Sequence, residues 1–94
     1  MKKYEGMFII KPGMPEEDTK KAVDSIGSAI TKNGGKVERC EKWASRRLAY
    51  PIKKFYEGEY YLCVFEAEPK SITSLRDTYK LNEDILRVLI TVKE

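Results

Sequence analysis

The sequence predicts an α+β fold, in which a four-stranded antiparallel sheet carries two helices on one face. The first observation is the order of segments, which alternate in hydrophobic period as strand, helix, strand, strand, helix, strand. This is the order of two split βαβ units, the ferredoxin-like arrangement. The second is size: 94 residues, 41% hydrophobic and 35% charged, are enough for one globular core. We therefore expect a single ferredoxin-like βαββαβ domain over residues 1–94.

The first half of the chain predicts a strand and then a helix. Aromatic and β-branched residues mark a strand over Lys3–Ile10, which the turn residues Lys11-Pro12-Gly13 close. A helix can start after Pro15, because three acidic residues follow it and complement the positive end of a helix dipole. Apolar residues then recur at helical spacing until Asn33-Gly34-Gly35, which provides a helix C-terminus.

The second half supplies the remaining four elements and one loop. They are an extended segment over 36–52, a polar loop over 53–58 with Gly58 as its turn residue, a strand over 59–68, a helix over 71–80 and a strand over 85–92. Pro51 cannot donate to a strand ladder and marks a strand end or an edge. Two right-handed crossovers lead us to expect the first and last strands in the centre of the sheet.

The strand over 59–68 predicts which face of the sheet meets the helices. Tyr61, Cys63, Phe65 and Ala67 alternate with a second set of residues, so the two sets point to opposite faces. The second set includes Tyr60, Leu62 and Val64. No part of the predicted fold covers that face, and exposed apolar patches commonly mark a partner surface. The alternative is that these are scattered apolar residues without a role.

Positive charge is concentrated in one strand and the loop that follows it. Residues 36–54 hold seven basic and two acidic residues, whereas the other 75 residues hold eleven basic and thirteen acidic ones. Clustered Lys and Arg beside tyrosines suit a nucleic-acid backbone and unstacked bases. An ordinary solvated edge strand carrying lysines is the alternative. Lys2, Lys3 and Lys93 would join the cluster if the termini lie near the same end of the sheet.

Composition argues against several other classes. The chain has no histidine, the commonest general base and metal ligand. Its two cysteines, Cys40 and Cys63, form no CxxC pair, and we expect them to be reduced thiols in a core. No signal-like segment opens the chain, so we expect a cytoplasmic protein. We expect no enzyme activity, metal, cofactor, small-molecule substrate or membrane association.

Two alternatives of other classes remain at this point. Small acylphosphatases share the architecture, but the loop over 11–15 has two prolines and neither the arginine nor the asparagine of a phosphate cradle. A homo-oligomeric domain that binds a small molecule or acts as a regulator is the other alternative. The mass of the purified protein would separate that reading from a monomer that awaits a partner.

The stretch Trp43-Ala-Ser-Arg-Arg-Leu-Ala-Tyr-Pro-Ile-Lys-Lys54 closely resembles the signature of the bacterial small-subunit ribosomal protein six family. Lys3-Tyr4-Glu5, Gly34-Gly35-Lys36-Val37 and Arg87-Val88 are also similar to that family, so the resemblance covers essentially the whole chain. The sequence departs from the family in two places. Ala44 stands where the family often has glycine, and the C-terminal extension of some members does not follow Glu94.

The resemblance implies a structural constituent of the bacterial small ribosomal subunit, ribosome-bound in the cytoplasm. It implies binding to 16S ribosomal RNA in the central domain, or platform, as a heterodimer with the eighteenth small-subunit protein. On this reading we expect RNA contacts from Lys2, Lys3, Tyr4, Arg46, Lys53, Lys54, Arg87 and Lys93. We expect partner contacts from Arg47, Tyr50, Tyr60, Leu62 and Val64. Arg46 and Arg47 follow one another in a strand and so should point to opposite faces.

Overall fold

The computed structural model describes residues 1–93 and has the predicted order of elements. They are β1 (Lys2–Ile10), α1 (Glu16–Lys32), β2 (Lys36–Ile52), β3 (Phe55–Ala67), α2 (Ile72–Leu81) and β4 (Ile85–Val92), with a 3-10 turn over Pro69–Ser71 before α2. All neighbouring strands pair antiparallel in one sheet. The predicted ferredoxin-like fold class is confirmed. Within residues 1–93, neither helix has the length and apolar character needed to cross a bilayer.

The strand order is β2-β3-β1-β4, so β1 and β3 occupy the centre. The prediction that the last strand is central is therefore wrong, because β4 lies at an edge. The cause is that the two crossovers interleave. The connection through α1 carries the chain from β1 past β3 to β2, and the connection through α2 carries it from β3 past β1 to β4.

The core lies between the sheet and the two helices. It is a single cluster to which β3 contributes Tyr61, Cys63, Phe65 and Ala67, as their alternation predicts. Tyr79 of α2 is buried against Phe8 with their rings edge to face, and its hydroxyl donates a 2.8 Å hydrogen bond to the carbonyl oxygen of Ile26 in α1. That bond fixes the two helices to each other inside an otherwise apolar core.

The β2–β3 hairpin extends beyond the rest of the sheet. β1 pairs with β3 only as far as Ile10 opposite Glu59, and the turn lies between the paired residues Ile52 and Phe55. The predicted loop over 53–58 is therefore wrong, since only Lys53 and Lys54 form the turn. Gly58 is a buried strand residue, and a Cβ at this position would clash with the side chain of Ile9. The glycine thus permits a close packing contact rather than a turn.

Cys40 and Cys63 are directly opposite each other on β2 and β3, with their Cα atoms 4.0 Å apart, and their sulfurs form a disulfide. The prediction of two reduced thiols is therefore wrong for this structure. The reason is the register of the hairpin, which places both side chains on the helix side of adjacent strands. A separation of 23 positions in sequence contains no sign of that register.

Candidate functional site

The basic residues predicted to bind RNA, together with Arg47, which is predicted to contact the protein partner, fall at two opposite ends of the sheet. One group, the terminal end, consists of Lys2, Lys3 and Lys93. The other group, the hairpin end, consists of Arg46, Arg47, Lys53, Lys54 and Arg87. The nine residues of β1 separate the two ends by roughly 30 Å. The termini therefore do not join the basic cluster of β2 and its turn.

Acidic neighbours largely neutralise the terminal end. The Nζ of Lys3 lies 3.1 Å from a carboxylate oxygen of Glu38, and the Nζ of Lys93 lies 3.8 Å from one of Glu5. The backbone amide of Lys93 also donates to the carbonyl oxygen of Lys3, which holds the two strand ends together. A polyanion that bound here would have to compete with these carboxylates.

The hairpin end differs because its cations form no ion pair within residues 1–93, although Glu57 lies opposite Arg47 on the neighbouring strand. All five side chains are exposed. Two nearby carboxylates are already engaged, since Lys11 pairs with Asp84 at 3.0 Å and Lys42 pairs with Glu59 at 3.1 Å. The hairpin end is therefore a concentrated positive surface that can attract phosphates.

Arg87 and Tyr50 link the two edges of the sheet at this end. Arg87 is on the edge strand β4, and its Nη1 donates a 3.0 Å hydrogen bond to the Tyr50 hydroxyl at the far end of β2. This contact shows that the overhanging hairpin reaches across the sheet. It places a residue predicted to contact RNA directly against one predicted to contact a protein partner.

An exposed aromatic and basic cluster surrounds Trp43. The guanidinium of Arg46 lies 4.6 Å from the Trp43 ring centroid, within cation–π distance, and the Tyr60 ring lies edge-on at 6.0 Å. The Trp43 side chain is 52% exposed. The signal missed in the sequence is a lone Trp that precedes a basic pair. The pairing of β2 with β3 shifts register between Lys42 and Ala44. This β-bulge therefore forms although Ala44 stands where the family often has glycine.

The adjacent arginines point to opposite faces, as predicted from their alternation. Arg46 is opposite Gly58 and stacks on Trp43, whose ring contacts Tyr60, on the face that carries no helix, which we call the open face. Arg47 is opposite Glu57 and so points to the other face. The two arginines therefore cannot serve one flat contact.

The open face has a smaller apolar surface on β3 than expected. Tyr60 and Leu62 are half-buried, but Val64 is only 1% exposed, flanked on the neighbouring strands by Glu5 and Arg39. Val64 can therefore offer almost no contact area, contrary to its prediction as a partner residue. Leu89 of β4, which the sequence reasoning did not single out, is 58% exposed.

Tyr4 lies in the core rather than on the surface, which corrects its prediction as an RNA-binding residue. It is 6% exposed, and its ring stacks on that of Phe65 with centroids 5.8 Å apart. The alternation along β1 contains the signal, because Tyr4 shares a face with the core residues Phe8 and Ile10. The family-like start of the chain obscured it.

The site has the character of a binding surface. The chain has no histidine, and residues 1–93 hold no group of acidic, cysteine or histidine side chains arranged around a metal position. What the geometry does provide is an exposed cation cluster at one end of an open-faced sheet. These features define a small ferredoxin-like domain that acts through its surface.

The chain belongs to the ribosomal protein S6 family, whose family model, described as Ribosomal protein S6, matches residues 3–92. It is 43% identical over 90 residues to the small ribosomal subunit protein bS6 of Helicobacter hepaticus, covering 96% of this chain and 66% of that relative. It is 37% identical over 94 residues to the bS6 of Clostridium novyi, covering 100% and 99% of the two chains. The members are ribosomal structural proteins and not enzymes.

A solved structure agrees with this assignment. The crystal structure of 30S ribosomal protein S6 from Thermotoga maritima superposes with a TM-score of 0.88 at 32% identity, covering 98% of this chain and 87% of that chain. The family resemblance seen in the Trp43–Lys54 stretch is thereby confirmed. The chain spans 63% of the length of the Helicobacter pylori relative, to which it is 42% identical over 90 residues.

Proposed function

We propose that this chain binds 16S ribosomal RNA in the central domain of the small subunit, chiefly through its hairpin end. The observation that carries the proposal is the group of five exposed cations that lack carboxylate partners within residues 1–93. Phosphates of an RNA backbone would supply the missing negative charge. Membership of a ribosomal protein family supports RNA as the polyanion.

The terminal end has a secondary place in this proposal. Lys2 is exposed and free of an ion pair within residues 1–93, whereas Lys3 and Lys93 have carboxylate neighbours. Contacts from these three lysines to RNA remain predictions. A bound RNA would gain less from this end, because each new phosphate contact would displace an existing ion pair or share the lysine with it.

We further propose that the open face binds the eighteenth small-subunit ribosomal protein. Exposed or half-buried apolar and aromatic residues support this, namely Tyr60, Leu62, Trp43 and Leu89. Aromatic residues and arginine are enriched in protein interfaces, and the Arg46–Trp43 stack is of that kind. Tyr50 and Arg47 remain predicted partner contacts at the margin. The protein would act in the cytoplasm as part of the ribosome.

A titration of RNA with and without the partner tests this function. A central-domain fragment of 16S ribosomal RNA is titrated with this protein alone, with the partner alone, and with both. The hairpin end carries only five cations, so we expect weak binding alone. Coupling through the heterodimer should tighten it by about 1–3 kcal/mol, or 5- to 150-fold.

Two results would contradict the proposal. Equal affinity with and without the partner would show that the two proteins do not bind the RNA as a unit. Self-association of the purified chain, with no response to either RNA or partner, would favour a homo-oligomeric domain instead. A Leu62→Asp variant, changed on the open face away from the cations, distinguishes loss of the partner from loss of RNA.

A further inference from the structure

The two lysines of the β2–β3 turn adopt a backbone conformation that is unfavourable for them. Lys53 has φ 49° and Lys54 has φ 73°, and they alone connect the paired residues Ile52 and Phe55. A two-residue hairpin loop with positive φ at both positions is the type I′ geometry, for which Asn-Gly is the favoured sequence. A side chain with a Cβ enters this region at a cost in stability. Lysine is thus a poor choice for folding at both positions.

The contacts within the protein do not account for this choice. The Lys53 Nζ lies 3.5 Å from the carbonyl oxygen of Ile85, at the limit of a hydrogen bond, and both lysines are exposed. Neither forms an ion pair with a carboxylate of residues 1–93. What the lysines add is charge, at the point of the hairpin that extends furthest beyond the sheet.

We propose that the Lys53–Lys54 turn binds phosphate. The two lysines lower the stability of the hairpin, but they place two cations at its tip. This inference rests on the proposed RNA-binding function and assigns part of it to one turn. Its ligand is the sugar-phosphate backbone and not the bases. A lysine ammonium acts as a point charge, and contacts to phosphate position a protein without reading sequence. Arg87, which donates a hydrogen bond to Tyr50 of the same hairpin, adds a third cation near this turn.

Replacing the turn by its favoured sequence tests the inference. The variant Lys53→Asn, Lys54→Gly should unfold at a higher denaturant midpoint than the parent, because the strain is relieved. With the partner present, its affinity for the central-domain RNA should fall roughly 10- to 30-fold at physiological salt. The slope of log affinity against log salt should become shallower by roughly one to two units.

Two control variants separate charge from backbone. The variant Lys53→Gln, Lys54→Gln removes both charges but keeps a Cβ at both positive-φ positions, so it should lose the same affinity without gaining stability. The variant Lys20→Gln, Lys21→Gln removes two exposed lysines from α1, on the helix side of the molecule. It should leave the salt slope unchanged.

The outcomes separate this inference from the function on which it rests. If the parent protein with its partner does not bind the RNA, the proposed function fails. If the parent binds and the Asn-Gly variant keeps its affinity and slope, the function stands and the phosphate-binding turn is overturned. An Asn-Gly variant that is no more stable than the parent would contradict the claim that the two lysines lower the stability of the protein. A variant that loses partner affinity but retains RNA affinity would assign the turn to the protein interface.

Discussion

At the scale of single residues, Tyr79 shows how one polar group is held in an apolar core. Its hydroxyl is buried and donates to the Ile26 carbonyl oxygen, and burial raises the pKa of Tyr79 far above its usual value of 10.0. The neutral form is thus favoured in the folded state. As the pH rises, Tyr79 ionises first in the unfolded chain. Its contribution to the free energy of unfolding is therefore complete below pH 10 and is lost as the pH rises above 10.

We expect Tyr79→Phe to unfold more easily at neutral pH, by about 1 kcal/mol, because it loses the hydrogen bond. The same variant should lose less stability than the parent between pH 9 and pH 11. Urea denaturation at several pH values measures both effects. Burial also raises the pKa of Tyr61, an effect that Glu59 increases and Lys42 opposes. The Tyr79→Phe variant should therefore still lose some stability at alkaline pH, but less than the parent. An identical pH dependence in the two proteins would contradict this account.

Single residues also show where their burial and ion pairs could not be predicted, or were not predicted, from the sequence. The placement of Tyr4 in the core could have been read from its alternation with Phe8, but the resemblance of Lys3-Tyr4-Glu5 to the family start favoured a surface role. The burial of Val64 could not have been read from β3, because it depends on the strands on both sides. Ion pairs such as Lys3–Glu38 join residues far apart in sequence and follow only from the strand order.

At the scale of elements, hydrophobic period was enough to place both helices and all four strands. The β2–β3 hairpin was the exception. A polar run with a glycine at position 58 has the composition of a loop, while the structure continues both strands through most of it. Close packing of Ile9 against Gly58 explains that glycine, and such a contact between strands leaves no local pattern in the sequence. The disulfide was missed for the same reason, since it depends on register.

The alternation along β3 makes an element-scale prediction that two substitutions can test. Phe65→Ala truncates a fully buried core residue and should lower the free energy of unfolding by about 3–5 kcal/mol. Leu62→Asp changes a half-buried residue of the open face, so it should cost less stability and instead weaken binding to the partner. Chemical denaturation and a binding titration measure the two effects. If Leu62→Asp unfolds the protein while Phe65→Ala does not, the assignment of faces is inverted.

At the scale of the whole molecule, the distribution of charge matters more than its sum. The net charge of +3 is small, and the sequence alone located the excess in β2 and its turn. It could not show that the termini lie at the far end of the sheet, or that carboxylates accompany their lysines. The fold therefore separates one set of predicted RNA contacts into two surfaces of different character.

The central claim is that the hairpin end, and not the terminal end, carries most of the RNA binding. The most direct measurement compares the salt dependence of RNA affinity for two triple variants, each lacking three charges. One is Lys53→Gln, Lys54→Gln, Arg87→Gln, and the other is Lys2→Gln, Lys3→Gln, Lys93→Gln. With the partner present, we expect the first variant to flatten the slope of log affinity against log salt by roughly two to three units. The second should change it by less than about one unit. Equal changes, or a larger change for the terminal-end variant, would contradict the account.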